Sequence, residues 1–134
     1  NNSNWYFLNR SSGKMETGWI YDNAWYFLGP NGAMKTGWVW NNSNWYFLNR
    51  SSGKMETGWI YDHAWYFLDP YGAMKTGWIY YNYNWYLLDQ NGAMKTGWVE
   101  DNGKLYFLFD DGKMAKNTSI STHPSDLPIN IFQH

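Results

Sequence analysis

The sequence predicts an all-β protein, a solenoid of stacked two-stranded β-hairpins with about 20 residues per repeat. Three observations carry this prediction. The string Trp-Tyr-Phe-Leu starts at positions 5, 25, 45 and 65, and weaker versions follow at 85 and 105. The string Thr-Gly-Trp precedes each return, and residues 41–60 repeat residues 1–20 without a change. A unit this short cannot enclose a core alone, so it must stack on its neighbours.

Each repeat is predicted to form one hairpin. In the first complete one, residues 18–21 and 25–28 are rich in aromatic and β-branched residues, as strands are. Between them lie Asp, Asn and Ala, and other repeats place Asn, Asp or Gly there, which tolerate the left-handed backbone of a tight turn. The connection 29–36 is full of turn formers. No stretch shows helical periodicity.

Strand alternation divides the side chains of a hairpin into two stripes. Pairing the two strands is expected to gather Ile20, Tyr26 and Leu28 on a packing face. Trp19 and Trp25 then stand together on the opposite face. The same arrangement in every repeat predicts a row of paired indole rings.

Two interpretations of the tryptophans are open. In one they are simply the core, because large rings bury the most area in a small unit. In the other they form open aromatic cages, closed by a ring of the next hairpin. Such cages suit a quaternary ammonium cation, which offers no hydrogen bond but is attracted to the faces of aromatic rings.

Composition excludes several functional classes. The 134 residues include 10 basic and 11 acidic ones, with no basic stripe for nucleic acid. No apolar run is long enough to span a membrane. There is no cysteine, so disulfides and thiolate metal sites are excluded. His63, His123 and His134 lack metal-ligand spacing, and no catalytic set is present. We therefore expect no metal, no cofactor and no enzymatic activity.

The chain is expected to comprise a repeat array and a short cap. The array covers residues 1–116, and its first repeat is expected to be truncated because Asn1 falls partway through the pattern. After Met114 the pattern breaks, and residues 117–134 contain Pro124, Pro128 and a small apolar group. Repeat arrays need an atypical end unit, so this segment is predicted to cap the last hairpin.

The repeated residues resemble the choline-binding repeats of pneumococcal and phage cell-wall proteins. The string Gly-Ala-Met-Lys-Thr-Gly-Trp at 32–38, 72–78 and 92–98 is highly specific for that family. The resemblance covers residues 1–116. It implies that the hairpins wind as a left-handed superhelix and that sites between successive hairpins hold the choline of teichoic acids.

By that resemblance, each site takes two tryptophans from one hairpin, and an aromatic ring and a loop methionine from the next. The expected choline-binding sets are Trp19, Trp25, Phe47 and Met55; Trp38, Trp45, Phe67 and Met74; Trp59, Trp65, Leu87 and Met94; and Trp78, Trp85, Phe107 and Met114. A half-site at the start is expected from Trp5, Phe27 and Met34.

Two features depart from the family pattern: the third wall, commonly Tyr in the family, is Phe in this sequence, which is expected to keep the aromatic face, and in the third set it is Leu87. The methionines have a second interpretation. Leu87 gives the third set an aliphatic wall, so that site is expected to be weak or completed by Tyr81 or Tyr83. Trp98 is followed by Leu105, which predicts a lost site. The methionines are ligand walls or flexible fillers of loop cavities.

The expected function is a non-catalytic module, secreted and bound at the bacterial cell-wall surface through choline or phosphocholine of teichoic and lipoteichoic acids. It would anchor a fused domain such as a wall hydrolase or adhesin, and a homodimer through the C-terminal end is a further expectation. Two alternatives remain: a carbohydrate-binding repeat of the glucan-binding or toxin type, and a structural stalk or dimerisation scaffold.

Overall fold

The computed structural model describes residues 5–9 and 11–116, which form ten short β-strands and no helix. In chain order the strands are β1 Gly18–Tyr21, β2 Trp25–Leu28, β3 Gly37–Asn41, β4 Asn44–Leu48, β5 Gly58–Tyr61, β6 Trp65–Leu68, β7 Gly77–Tyr81, β8 Asn84–Leu88, β9 Gly97–Asp101 and β10 Lys104–Leu108.

Consecutive strands pair into five two-stranded sheets, β1–β2, β3–β4, β5–β6, β7–β8 and β9–β10. The prediction of an all-β array of hairpins is thereby confirmed. In the first hairpin Trp19 lies opposite Phe27, Ile20 opposite Tyr26, and Gly18 opposite Leu28. This register gives the two stripes that alternation predicted.

The hairpin turns have two lengths. Turns of two residues join β3 to β4, β7 to β8 and β9 to β10, and both residues of each have positive φ, as in Asn42 (53°) and Ser43 (68°). Three residues join β1 to β2 and β5 to β6, with positive φ at Asn23 (60°) and His63 (62°). Asparagine is the residue that best tolerates this backbone after glycine. His63 is therefore a turn residue, as its sister position Asn23 indicates.

The loop that follows each hairpin is joined by a backbone hydrogen bond to the preceding hairpin of the array. The N–H of Met55 donates to the carbonyl of Trp25 over 2.8 Å, while Met55 also bridges to Leu48 at the end of β4. The same bond recurs four times, from Met34 to Trp5, Met74 to Trp45, Met94 to Trp65 and Met114 to Trp85. These bonds, which we call the Met–Trp ties, join hairpins at every step.

The loop methionines also pack against glycines of the following loop. Gly72 has a φ of +91°, and a β-carbon there would lie 2.5 Å from Sδ of Met55. Gly53 meets Met34 in the same way. Both the positive φ and the close approach require glycine at these positions.

Contacts divide the chain into two compact units, residues 1–60 with 67–74 and residues 61–66 with 75–134. In the described part of the first, Leu28, Leu48 and Leu68 are almost fully buried. In the described part of the second, Leu88, Leu108 and Met114 are. No described tryptophan is buried to this degree, so the buried core consists mainly of the aliphatic stripe.

The predicted cap, residues 117–134, lies outside the described residues, as does the C-terminal end proposed for a homodimer. The boundary of the array at residue 116 and the left-handed superhelix stay predictions.

Candidate functional site

The first complete site is a cleft walled by three aromatic rings. The ring centroids of Trp19 and Trp25 lie 6.4 Å apart with their planes at 87°. Tyr46 of the following hairpin lies 5.0 Å from Trp19 at 71°. The cleft has a volume of about 310 Å³, and its lining also includes Met55 and Tyr71. We call this site the Trp19 cage.

Local strand geometry explains the position of each wall. Trp19 and Trp25 share the outer stripe of the β1–β2 hairpin, because Trp19 pairs with Phe27 two residues beyond Trp25. Tyr46 lies on the other stripe of β4, where it contacts the hairpin before. The indole of Trp25 is 44% exposed, so the cage has an open mouth.

A further ring flanks each strand tryptophan on its outer side. Tyr21 lies 5.2 Å from Trp25 and is 64% exposed. Trp40, Tyr61 and Tyr80 take the same position beside Trp45, Trp65 and Trp85 at 5.3, 5.3 and 5.2 Å. This cross-strand ring was not among the residues predicted for the sites.

The structure does not place Phe47 at the third wall of the Trp19 cage. Phe47 pairs with Trp38 across its own hairpin, with 5.0 Å between ring centroids. It is 8% exposed, and the Arg50 guanidinium lies 5.3 Å from its ring centroid. The family resemblance implied the aromatic residue two positions after the strand tryptophan, which lies on the same stripe of β4 as Trp45. The ring that meets Trp19 is one position earlier, at Tyr46.

The other predicted phenylalanines behave in the same way. Each lies about 5 Å from the Gly-Trp tryptophan of its own hairpin: Phe27 from Trp19, Phe67 from Trp59 and Phe107 from Trp98 at 5.0, 5.1 and 4.9 Å. Leu87 takes the equivalent place opposite Trp78. The aliphatic residue at 87 therefore changes an intra-hairpin pair.

A second cage is complete within the second compact unit. Trp78 and Trp85 lie 6.5 Å apart at 82°, and Tyr106 lies 5.0 Å from Trp78 at 66°. Both tryptophans pack against a buried cluster that includes Tyr106 and Met114. We call this site the Trp78 cage. Its third wall is Tyr106 where Phe107 was expected.

The remaining predicted sets are brought together in part. Trp38 and Trp45 lie 6.5 Å apart at 89°, and the N–H of Met74 donates to the carbonyl of Trp45. The N–H of Met94 donates to the carbonyl of Trp65. How these two sites are closed, and the alternative contribution of Tyr81 or Tyr83 to the second of them, stay predictions.

The predicted half-site at the start is a cleft of about 290 Å³. Trp5 and Met34 line it as expected, and its other wall residues include Phe7 and Tyr26, whose rings lie 6.0 Å apart. Phe27 lies beside Trp19 in its own hairpin. In this cleft too, the lining residue is a tyrosine, Tyr26, where Phe27 was expected.

A carboxylate lies beside the Trp78 cage. Burial, and then the charge of Asp101, raise the pKa of Tyr106 above 10.0, so its phenol is neutral at physiological pH. The Asp101 carboxylate accepts a hydrogen bond from the Trp78 indole N–H at 3.0 Å. Aromatic faces in a partly desolvated cleft attract a cation and need no hydrogen bond from it. In the described chain, no cluster of three or more His, Asp or Glu side chains is placed to hold a metal.

Sequence reasoning missed the tyrosine walls, Asp101 and the loop residue Tyr71. Alternation already separated the tyrosine stripe from the tryptophan stripe, and the tyrosine stripe was assigned to packing between hairpins. In the structure this packing stripe meets the tryptophans of the preceding hairpin, as Tyr46 meets Trp19, and alternation within one hairpin does not give that contact. Tyr71 lies in a loop, which has no stripe, and Asp101 is the last residue of a strand, where alternation does not indicate a contact with an indole of the preceding hairpin.

Two family models match the chain. The family described as choline-binding repeat matches residues 17–58 and 75–119, and the family described as putative cell wall binding repeat matches residues 1–15. No curated protein matches the chain. Within the described residues, no helix has the length and apolar character needed to cross a membrane.

Solved structures show the same repeats. Choline binding protein F from Streptococcus pneumoniae, solved in the presence of a peptidoglycan analogue, is 44% identical with a TM-score of 0.83, over 90% of this chain and 41% of that one. The modular autolysin LytC from the same species is 30% identical with a TM-score of 0.68, over 84% and 27%. A cell wall endolysin from phage Cp-1, complexed with choline, is 28% identical with a TM-score of 0.55, over 96% and 41%.

This chain thus spans less than half the length of each of these proteins. The choline-binding repeat matches cover well over half of its own residues. The chain belongs to the choline-binding repeat family.

Proposed function

We propose that this chain is a non-catalytic attachment module that binds choline of teichoic and lipoteichoic acids in the aromatic cages between successive hairpins. The observation that carries the proposal is the Trp19 cage, where Trp19, Trp25 and Tyr46 surround one open cleft. A trimethylammonium group fits three aromatic faces because its charge is spread over methyl groups that cannot donate strong hydrogen bonds.

The proposed walls follow the observed contacts. For the Trp19 cage they are Trp19, Trp25, Tyr46 and Met55, and for the Trp78 cage they are Trp78, Trp85, Tyr106 and Met114. The set built on Trp38 with Trp45 is proposed as a further site of the same kind, and the set expected from Trp59, Trp65, Leu87 and Met94 stays a prediction. The methionines act as wall and filler together, since Met55 both lines the cleft and packs against Gly72.

The energetics favour an array over a single site. Each ring contributes about 0.5–2 kcal/mol to cation binding, depending on desolvation. A dissociation constant of about 1 mM corresponds to about −4 kcal/mol, so one cage binds weakly. Several cages on a polymer that carries many cholines gain about 10²-fold or more through effective concentration.

The setting of the proposed module is the outer surface of a bacterial cell wall, to which it would be secreted. The autolysin and endolysin relatives are larger wall enzymes of which this chain resembles a part. We therefore propose that the module anchors a fused domain, such as a wall hydrolase or adhesin. A homodimer through the C-terminal end belongs to the same proposal.

Tryptophan fluorescence during a choline titration tests the proposal, with glucan oligomers as the control ligand. Choline is expected to change the emission in the millimolar range, and glucan is not. Trp25→Ala should remove one site and leave the array folded, because Trp25 is 44% exposed. Trp98→Ala is the matched control, since Trp98 is 39% exposed and has Leu105 in place of the second tryptophan. An equal response to glucan would instead support the carbohydrate-binding alternative.

A further inference from the structure

The Trp78 cage carries a negative charge on one of its walls. The Asp101 carboxylate oxygen Oδ2 accepts a hydrogen bond from the Trp78 indole N–H at 3.0 Å. Asp101 is the last residue of β9, so its place is fixed by the β9–β10 hairpin, where Lys104 is its cross-strand partner. Within residues 5–9 and 11–116, no ion pair joins the two side chains.

This hydrogen bond acts on the cage in two ways. It lies at the indole edge, so a negative charge there increases the electron density that the indole faces present to a cation. The charge also acts directly through space over a short distance. Burial raises the pKa of Tyr106, and the charge of Asp101 raises it further, in the same sense as a negative field at that wall. A field that disfavours a phenolate there favours a cation between the rings.

We propose that Asp101 is a specificity-determining residue of the Trp78 cage, which makes this cage select ligands that carry a positive charge over neutral ligands of the same shape. The inference rests on the proposed choline-binding function and adds to it a difference between cages. The aromatic faces of the walls already attract a cation, and Asp101 adds to the discrimination between a quaternary ammonium and its uncharged carbon analogue.

The Trp19 cage offers a natural comparison. Asn41 takes in β3 the position that Asp101 takes in β9, three residues after the Gly-Trp tryptophan and directly before a two-residue turn. Its cross-strand partner is Asn44. The two cages share a Trp, Trp and Tyr arrangement, to which Tyr71 is added in the Trp19 cage, and they differ in charge at this position.

The size of the effect follows from surface electrostatics. Exposed charge pairs contribute roughly 0.2–1 kcal/mol, and Asp101 is solvent-exposed. Removal of its charge is therefore expected to weaken choline binding at the Trp78 cage about two- to five-fold. Salt screens such an interaction, so the difference should shrink as ionic strength rises.

The experiment is an NMR titration of the ¹⁵N-labelled chain that follows the indole N–H signals of Trp78 and Trp19, each assigned with a tryptophan-to-phenylalanine variant. The ligands are choline and 3,3-dimethylbutan-1-ol, its neutral carbon isostere. Asp101→Asn keeps a hydrogen-bond acceptor and removes only the charge. It is expected to weaken choline at the Trp78 signal two- to five-fold and to leave the neutral isostere and the Trp19 signal unchanged. Asn41→Asp is expected to strengthen choline, and not the isostere, at Trp19.

Each result decides the matter. Equal losses for choline and the isostere would show that Asp101 only positions the indole, which overturns the proposal. An unchanged choline affinity in Asp101→Asn, with a responsive Trp19 cage, would overturn this inference and leave the proposed function intact. Cages of the native chain that respond to neither ligand would overturn the proposed function and the inference with it.

Discussion

Tyr46 and Phe47 are neighbours in β4, yet they serve different hairpins. The Tyr46 ring contacts Trp19 of the preceding hairpin, whereas Phe47 pairs with Trp38 of its own. The period of two along a strand gives adjacent side chains opposite faces. One strand residue therefore meets the tryptophan of the preceding hairpin, and the next residue supports the tryptophan of its own hairpin.

Tyr46→Leu is predicted to weaken choline at the Trp19 cage about ten-fold, because one ring of three is lost and each contributes about 0.5–2 kcal/mol. Phe47→Leu is the matched control, and the native Leu87 shows that leucine fits this strand position. The control should keep the affinity at Trp19, measured by the same indole N–H titration. A larger loss of choline affinity in Phe47→Leu than in Tyr46→Leu would show that Phe47, and not Tyr46, forms the third wall.

Stability is predicted to fall at alkaline pH through two buried tyrosines. Burial raises the pKa of Tyr106 above 10.0, with a further contribution from Asp101, and burial followed by Asp111 and Tyr81 raises the pKa of Tyr86. A folded-state pKa above the unfolded value means that the folded chain holds the proton more tightly. The stabilisation is thus complete below pH 10 and is lost as the pH rises through the folded pKa.

Urea unfolding midpoints between pH 8 and pH 11.5 measure this effect. Tyr106→Phe should flatten the alkaline decline, because no phenol remains to ionise at that position. Tyr83→Phe is the control, since the Tyr83 side chain is 76% exposed, and it should leave the decline as in the native chain. A native midpoint that stays constant to pH 11.5 would contradict the prediction.

At the scale of the element, the loop glycines set how closely hairpins approach. Gly72→Ala is predicted to lower the free energy of unfolding by about 1–2 kcal/mol for its left-handed backbone and by about 1–3 kcal/mol more for overpacking against Met55. Gly58→Ala is the matched control: its φ is also positive, +75°, but nothing lies within 4 Å of an added β-carbon. The difference between the two variants in urea unfolding isolates the Met55 contact. Equal losses would show that this contact has no effect on stability.

The hairpins themselves were predictable from sequence, because strand identity and turn position are local properties. The aromatic strings predicted the strands, and Asn and Asp predicted the turns. Alternation predicted the stripes, which the pairing of Ile20 with Tyr26 confirms. The pairing of tryptophans within a hairpin, as in Trp19 with Trp25, followed from the same local rules.

The closing wall was not predictable in this way, because it depends on how one hairpin docks on the next. The family resemblance implied Phe47, two positions after Trp45, whereas the contact between hairpins brings Tyr46 to Trp19. Asp101 is similar: no periodicity distinguishes a turn-flanking carboxylate in contact with an indole N–H from one in solvent. Contacts between hairpins thus hold the information that the local pattern lacks.

For the molecule as a whole, the number of cages is predicted to govern retention on a wall. Binding to a surface dense in choline should exceed binding to free choline about 10²-fold or more. Surface plasmon resonance on chips coated densely or sparsely with choline measures binding to the surface. Calorimetry measures binding to free choline. Trp25→Ala together with Trp85→Ala should weaken retention on the dense surface more than either change alone. Similar affinities for the polymer surface and free choline would show that a single cage acts alone.

The Met–Trp ties have a consequence for how such a protein can change. They join main-chain atoms, such as the Met55 N–H and the Trp25 carbonyl, so they do not depend on which side chain lines the adjoining cleft. A wall residue or a nearby charge can therefore be exchanged in one cage while the connection between its hairpins persists. Duplication then supplies copies of the cage whose ligand preferences can diverge, as the contrast between Asn41 and Asp101 illustrates. One chain can then bind a chemically mixed polymer through cages that prefer different ligands.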